Sequence, residues 1–328
     1  MIDFDNSEWL VKEEAETNTE YGTCPGKRSI EMYIKNGFVI VDKPKGPTSH
    51  QVAAWVRDMF GVNKAGHPGT LDPAVTGVLP VFIGNSVKVL PLIARSDKEY
   101  VCLMHAHKDV EAKKIRSAIN EFVGTITQMP PVKSGVKRRF RDRKIHYIKI
   151  LEISGRSALF LAGTEAGTYI RTLCADIGKK LGVGAHMQEL RRTKAGMFLE
   201  KDAHSLHEIR DAYEFCHEDD DESSIRNMVR PLEDAITHAG QIVIKDSAVS
   251  SVCNGAPLHA GGVLRIKKDI REGDKIALLS LKGELVALGT ASLDSAKMIK
   301  KAKGIVTSVD RVVLNPTNYP KTWGKQEA

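Results

Sequence analysis

Gly66-His67-Pro68-Gly69-Thr70-Leu71-Asp72-Pro73-Ala74-Val75-Thr76-Gly77-Val78-Leu79-Pro80 is the stretch from which the rest of the chain can be read. Gly and Pro recur every few residues, so it begins as a tightly turned loop and not as a helix. One carboxylate, Asp72, stands in its middle. Pro73 fixes its own φ, lacks an N–H and restricts Asp72 toward extended conformations. Thr70 and Thr76 offer hydroxyls that can bond locally to the backbone. The loop then runs into an apolar stretch at residues 78–83, which reads as a buried strand. Such an aspartate is either an ordinary Asp-Pro turn or a carboxylate that must be held still, and its neighbourhood has to decide.

The chain has 328 residues, enough for a large core and for two domains. Its net charge of +7 favours an acidic partner, of which nucleic acid is the commonest. Aromatic residues make up only 6%, which argues against a long stacking platform for single strands. No apolar run approaches the ~20 residues of a membrane span, and the acidic N-terminus does not read as a signal peptide. The five cysteines (Cys24, Cys102, Cys174, Cys216 and Cys253) are scattered without a CxxC pair. That spacing argues against a zinc site or a disulfide framework, and the expected location is the cytoplasm.

Residues 1–36 are polar and without a clear period, and are expected to be an extension that wraps the body or stays partly disordered. Residues 37–42 read as a buried strand. Thr48 or Ser49 caps a helix to about Phe60, with Val52, Trp55, Val56 and Phe60 on one face. Asn85 is placed as the cap of a short helix carrying Val87, Leu90 and Ile93. A strand follows at residues 98–105, and Asp109 is expected to open a helix to about Phe122. After the rigid Met129-Pro130-Pro131 comes a basic run: Lys133, Lys137, Arg138, Arg139, Arg141, Arg143 and Lys144. Its interruption by Val136, Phe140 and Ile145 favours a turn and strand aiming a cationic stripe at a polyanion over a merely solvated face.

Residues 148–153 and 158–164 pair as a hairpin around Gly155. Gly167-Thr168 is expected to cap a helix that buries Ile170, Leu173, Ile177 and Leu181. Arg171 then falls in the first turn, where the helix already carries partial positive charge, so it would benefit from a carboxylate partner. Ser205 caps a helix to about Cys216, and Pro231 is expected to open another reaching Ala239. From about residue 241 the segments become short, β-rich and punctuated by Gly, which suggests a small barrel. The domain organisation read here is 1–36 extension, 37–240 first domain and 241–328 second, barrel-like domain with tail.

Three chemistries could use Asp72: metal binding, aspartyl-phosphate formation, and metal-free covalent or general-base catalysis with the carboxylate kept ionised by an arginine. The first two need further acidic neighbours, and Leu71, Pro73, Ala74 and Val75 supply none. The third gives Arg171 a partner. Tyr100, on the strand after the loop's own, can present a flat stacking surface. The basic run then suggests that the substrate is a nucleic acid.

The Asp72 stretch closely resembles the catalytic motif of the pseudouridine synthases related to bacterial tRNA pseudouridine-55 synthase. Gly37-Phe38-Val39-Ile40-Val41-Asp42-Lys43-Pro44 with Gly46-Pro47-Thr48-Ser49 matches that family's first motif. Lys98-Glu99-Tyr100 matches its tyrosine motif, and Gly167-Thr168-Tyr169-Ile170-Arg171-Thr172-Leu173 with Leu190-Arg191-Arg192-Thr193 matches its third block. Met129-Pro130-Pro131 with Val136-Lys137-Arg138-Arg139 looks like the dyskerin branch. Residues 244–289 and the tail Tyr319-Pro320-Lys321-Thr322-Trp323 resemble that branch's PUA domain. The absence of long lysine-rich tails makes an archaeal member the expectation. Pro68 departs from the family pattern, which has a small residue there.

This resemblance implies an α+β fold: a catalytic domain with a mixed, largely antiparallel sheet, plus a small β-barrel PUA domain. It implies conversion of uridine to pseudouridine in rRNA and at tRNA position 55, without a cofactor or metal. Asp72 takes the catalytic role, and attack on C1′, attack on the base and removal of a sugar proton all stay open for it. Tyr100 would stack on the flipped uracil, Arg171 would pair with Asp72 and Leu190 would line the pocket. His67 and Lys43 are implied as substrate contacts or loop supports, and Lys137, Arg138 and Arg139 as RNA contacts. A uridine inside a duplex is out of reach and must be flipped out or presented single-stranded. The implied partners are a box H/ACA guide RNA, substrate rRNA or tRNA, a small zinc-ribbon protein, a small β-barrel protein and a kink-turn-binding ribosomal-type protein. The alternative within the same class is a stand-alone tRNA pseudouridine-55 synthase.

Overall fold

The computed structural model describes residues 8–131, 137, 139–219, 221–315 and 319–320. The first part of the chain runs β1 (Trp9–Val11), α1 (Ile30–Lys35), β2 (Gly37–Lys43), α2 (Ser49–Met59), β3 (Ala65–Gly66), β4 (Thr76–Ile83), α3 (Leu90–Ile93), β5 (Lys98–Ala106) and α4 (Ala112–Asn120). It continues β6 (Gly124–Gln128), β7 (Arg141–Ser154), β8 (Ser157–Thr164), α5 (Ile170–Lys180), β9 (Ala185–Ala195), β10 (Phe198–Leu199), α6 (Leu206–Glu218), α7 (Ser223–Met228) and β11 (Val229–Pro231). The last part is β12 (Gly240–Ile244), α8 (Asp246–Cys253), β13 (Leu258–His259), β14 (Val263–Lys267), β15 (Lys275–Leu279), β16 (Leu285–Ala291), α9 (Ser295–Lys300) and β17 (Ile305–Val312).

The larger sheet has the order β11-β2-β4-β9-β5-β8-β7-β6, with β3 on β4 and β10 on β9. Its neighbours are antiparallel except β4 and β9, which meet in parallel at Thr76↔Arg191 and Gly77↔Arg192. β2 and β4 are apolar over residues 37–41 and 77–83 because both faces of this part of the sheet are covered. One face packs on α2 and α6 through Val39, Val41, Val52, Val56, Leu79 and Ile209. The other buries Phe38, Ile40, Val78 and Phe82 against Ala277, Leu279, Leu285 and Leu288 of the second unit. The β5–β8 half carries α4 and α5 on one side, around Cys102, Met104, Ile115, Phe160, Leu173 and Ile177. The second sheet, β1-β14-β12-β15-β16-β17-β13, curls around its own core of Ile242, Ile266, Leu278, Val286 and Val306. The mixed, largely antiparallel α+β architecture read from the sequence is the one found. The N-terminal segment contributes a strand to the second sheet, since Trp9, Leu10 and Val11 pair with Lys267, Ile266 and Arg265.

Local signals hold where the side chain has no better partner elsewhere. Thr48 and Gln51 close a capping box on α2, and Ser205 and Glu208 do the same on α6. Four readings are corrected. Asp109 does not open α4: the N-cap is Glu111, and the Asp109 carboxylate lies 3.7 Å from Arg156. Asn85 reaches Asn36 instead of capping, inside a 3-10 turn at Gly84–Val89. The N-cap of α5 is Tyr169, while the Thr168 hydroxyl donates to Glu165 O. Pro231 ends β11 and is followed by a 3-10 helix, Leu232–Ile236, in place of a longer helix. Trp55 falls at the edge of the inward stripe of α2 and is 43% exposed.

Candidate active site

The Asp72 loop leaves β3, turns through Asp72, Pro73 and Ala74, and enters β4. Its backbone is pinned from below. Leu71 N donates to the buried Ser49 Oγ at 2.8 Å, and that hydroxyl donates back to Leu71 O at 2.9 Å. Val75 N closes the turn on Asp72 O at 3.0 Å, and Gly46 N donates to Pro73 O at 2.9 Å. Lys43 lies under the loop, fully buried, and its ammonium donates to Pro44 O, Pro73 O and Val75 O at 2.8, 3.2 and 2.8 Å. Leu71 and Val75 point into the core, which turns the Asp72 side chain outward. Loop and strand meet at Gly77, where φ is +101° and a Cβ would sit 2.2 Å from Arg192 O. Only glycine fits there.

The carboxylate so presented forms an ion pair with Arg171, from the first turn of α5. The start of that helix is fixed by the buried Gln128 of β6. Its amide donates to Tyr169 O at 3.1 Å and accepts from Tyr169 N at 3.0 Å. Asp72, Arg171, Tyr100 and Leu190 all line one cavity of about 380 Å³, together with Gly69, Lys98, Thr168 and Arg192. The sequence had separated these residues by up to 118 positions. The sheet unites them because β5 lies beside β9, with Tyr100 opposite Arg192 and Cys102 opposite Leu190.

The other expected site residues fall elsewhere. Lys43 and His67 are absent from the cavity wall. Both ring nitrogens of His67 are buried without a partner, and its ring packs edge-on to His50 at 4.9 Å. Burial first, then His50 and Arg192, push its pKa down to about 4, so it is neutral at pH 7. Lys137 and Arg139 are exposed, whereas Arg138 lies outside the described residues. Further along the run, Arg143 packs over Gly167 on the cavity rim and stands 3.9 Å from Glu165.

Two residues of the wall were not singled out from the sequence. Arg192 is 1% exposed; its Nε donates to Val78 O at 2.8 Å and its Nη2 to Gly69 O at 3.2 Å. Lys98 is also buried and donates to Ala94 O at 3.0 Å and to Ser96 O. Burial and then Arg192 lower the Lys98 pKa to about 8, against the pull of Asp97. Burial likewise lowers Arg192, with Tyr100 as the polar neighbour that opposes it. A signal for Arg192 existed. Adjacent arginines on a strand face opposite sides, and Arg191 takes the outer one, bidentate to Asp42 at 2.9 Å and also bonded to Glu200.

Comparison with known proteins settles the lineage. Residues 57–170 match the TruB family pseudouridylate synthase N-terminal domain. Residues 171–237 match the tRNA pseudouridylate synthase B C-terminal domain, 240–313 a PUA domain and 2–53 a DKCLD domain. The probable tRNA pseudouridine synthase B of Methanopyrus kandleri is 50% identical over 97% of this chain and 94% of its own length. The chain belongs to the TruB family of pseudouridine synthases. It is therefore an RNA-modifying isomerase. Its counterpart in Methanosarcina acetivorans, under the same name, is 51% identical over 96% of this chain and 94% of its own. Among solved structures, an H/ACA RNP bound to a substrate RNA containing 2'-deoxyuridine superposes with a TM-score of 0.89 at 47% identity, covering 96% of this chain and 97% of that one. A Cbf5-Nop10-Gar1 complex superposes with a TM-score of 0.89 at 49% identity, covering 96% of both chains. No helix among the described residues is long and apolar enough to cross a membrane.

Proposed function

We propose that this chain is the catalytic subunit of a guide-RNA-directed box H/ACA particle that isomerises chosen uridines to pseudouridine in rRNA, and also acts at tRNA position 55. The observation that carries this reading is the likeness to a chain of a substrate-bound H/ACA RNP over 96% of this molecule, second unit included. Asp72 is the catalytic carboxylate, Arg171 pairs with it and orients it, and Tyr100 stacks on the flipped uracil against Leu190. Residues 37–240 carry the chemistry, residues 241–328 hold the guide, and residues 1–36 are an extension tied to the second unit by β1. Sequence is read by pairing between guide and substrate, so the basic run need only follow backbone charge. The partners are the guide RNA, the substrate RNA, a small zinc-ribbon protein, a small β-barrel protein and a kink-turn-binding protein, all in the cytoplasm.

The second reading, a stand-alone tRNA pseudouridine-55 synthase, is favoured by the name shared by the curated relatives. Pseudouridine formation on a defined RNA separates the two. The purified chain alone is compared with the chain plus matching guide and partner proteins. Activity only with the guide is the expected result for rRNA targets. Equal activity without the guide refutes guide dependence.

A further inference from the structure

Lys43, Lys98 and Arg192 are three buried cations around one loop that donate to backbone carbonyls, and Arg192 also meets the side chain of Tyr100. Among the described residues no carboxylate ion-pairs with any of them. A buried charge without a counter-ion is costly, and folds seldom keep one where it has no use. Lys43 is used up beneath the loop. Arg192 and Lys98 are different, because both form part of the cavity wall beside Tyr100. Arg192 is also fixed at two points, Gly69 O and Val78 O, so it cannot swing out to water.

We propose that Arg192, seconded by Lys98, is a further catalytic residue of this pocket: a rigid, carboxylate-free cation that takes up the negative charge of the uracil ring while it is detached from the sugar. When the N1–C1′ bond breaks heterolytically, the electron pair stays on the base. C1′ is left electron-poor beside the Asp72 carboxylate. The charge on the base spreads over N1 and the carbonyl oxygens. C5 then bonds C1′, the C5 proton leaves to water and N1 takes one from water, so the overall change is an isomerisation. A positive group already in place where that charge appears lowers the barrier without reorganisation. A phosphate is the wrong occupant for this cation. Arg192 is 1% exposed at the wall of a cavity shared with Tyr100, which suits a flat base better than a bulky hydrated phosphate.

The inference rests on the uridine chemistry of the proposed function and not on guide dependence. It is read on whichever RNA the wild type turns over, so wild-type product separates its failure from failure of that reading. Single-turnover rates are compared for target RNAs carrying uridine or 4-thiouridine, whose more acidic base needs less help to leave and keeps its C5 hydrogen. Arg192→Met is expected to lose about 100-fold on uridine, as for removal of one preorganised stabiliser. On 4-thiouridine it should lose less than about 10-fold, with RNA affinity within about threefold of wild type. Arg192→Lys keeps the charge and should retain the wild-type ratio between the two substrates. If Arg192→Met does not fold, Arg192→Gln, which keeps a donor for Gly69 O, gives the same comparison. An equal loss on both substrates would reduce Arg192 to a loop support and overturn the proposal, as would an undiminished rate.

Discussion

Lys43→Met isolates what the buried ammonium does for the catalytic loop. Methionine fills nearly the same space and removes only the charged donor. Three carbonyls lose this donor: Pro73 O keeps Gly46 N, whereas Pro44 O and Val75 O, the latter at the end of the turn that carries Asp72, lose the ammonium that held them. A buried carbonyl left unpaired costs about 1–3 kcal/mol. Part of that is offset, because a buried ammonium with no counter-ion no longer has to be desolvated. The net loss is about 2–4 kcal/mol. This corresponds to a fall in melting temperature of about 3–6 °C for a chain of this size. The rate should fall further than the stability suggests, by about 100-fold, because a carboxylate displaced by ~1 Å loses its alignment. Burial, with Arg192, holds the Lys43 pKa below its usual 10.5. The folded chain therefore binds fewer protons than the unfolded one between that lowered value and 10.5. Wild-type stability climbs with pH across that window, and the variant should lack the climb. Thermal unfolding at several pH values and single-turnover kinetics at saturating RNA measure both effects. A melting temperature within a degree of wild type, with an unchanged rate, would show that Ser49 and Gly46 hold the loop unaided and would refute the argument.

Asp72→Asn keeps size and removes charge. Turnover should fall by at least about 1,000-fold while RNA affinity stays near wild type, and a gel-shift titration beside the rate assay checks it. Arg171→Lys loses the planar two-donor fork facing Asp72, so the rate should drop with little change in affinity. An equal binding defect would make Arg171 an RNA contact instead. His67→Phe should flatten the pH dependence of unfolding between about 6.5 and about 4. In that window unfolded His67 takes a proton and folded His67 does not, so the wild type loses stability as pH falls. Charge reversal at Arg138 and Arg139 should flatten the fall of RNA affinity with salt, and an unchanged slope would mean that the run serves a protein partner or the solvent.

The sequence by itself determined what depends on neighbours along the chain. Gly, Pro and Asp in the 66–80 stretch dictate a loop entering a strand. Thr48 with Gln51, and Ser205 with Glu208, announce helix starts because donor and acceptor lie three residues apart. Ordered motifs identified the family, and Arg171 in the first turn of a helix asked for the carboxylate it has. Only the tertiary structure decided which charges are buried and against what. Lys43 reads as a surface lysine in a turn until β2 and β4 enclose it beneath the loop. Arg192 stands 120 residues after Asp72, and it reaches Gly69 O and Val78 O only because β4 and β9 run parallel and adjacent. Asn85 would cap a helix if nothing else were near, but its amide is taken by Asn36, 49 residues away along the chain. Hydrogen bonds and desolvation act through a few ångströms of space, whatever the separation along the chain. Spacing therefore foretells an element and its cap, and the pairing of distant strands settles the electrostatics of the pocket.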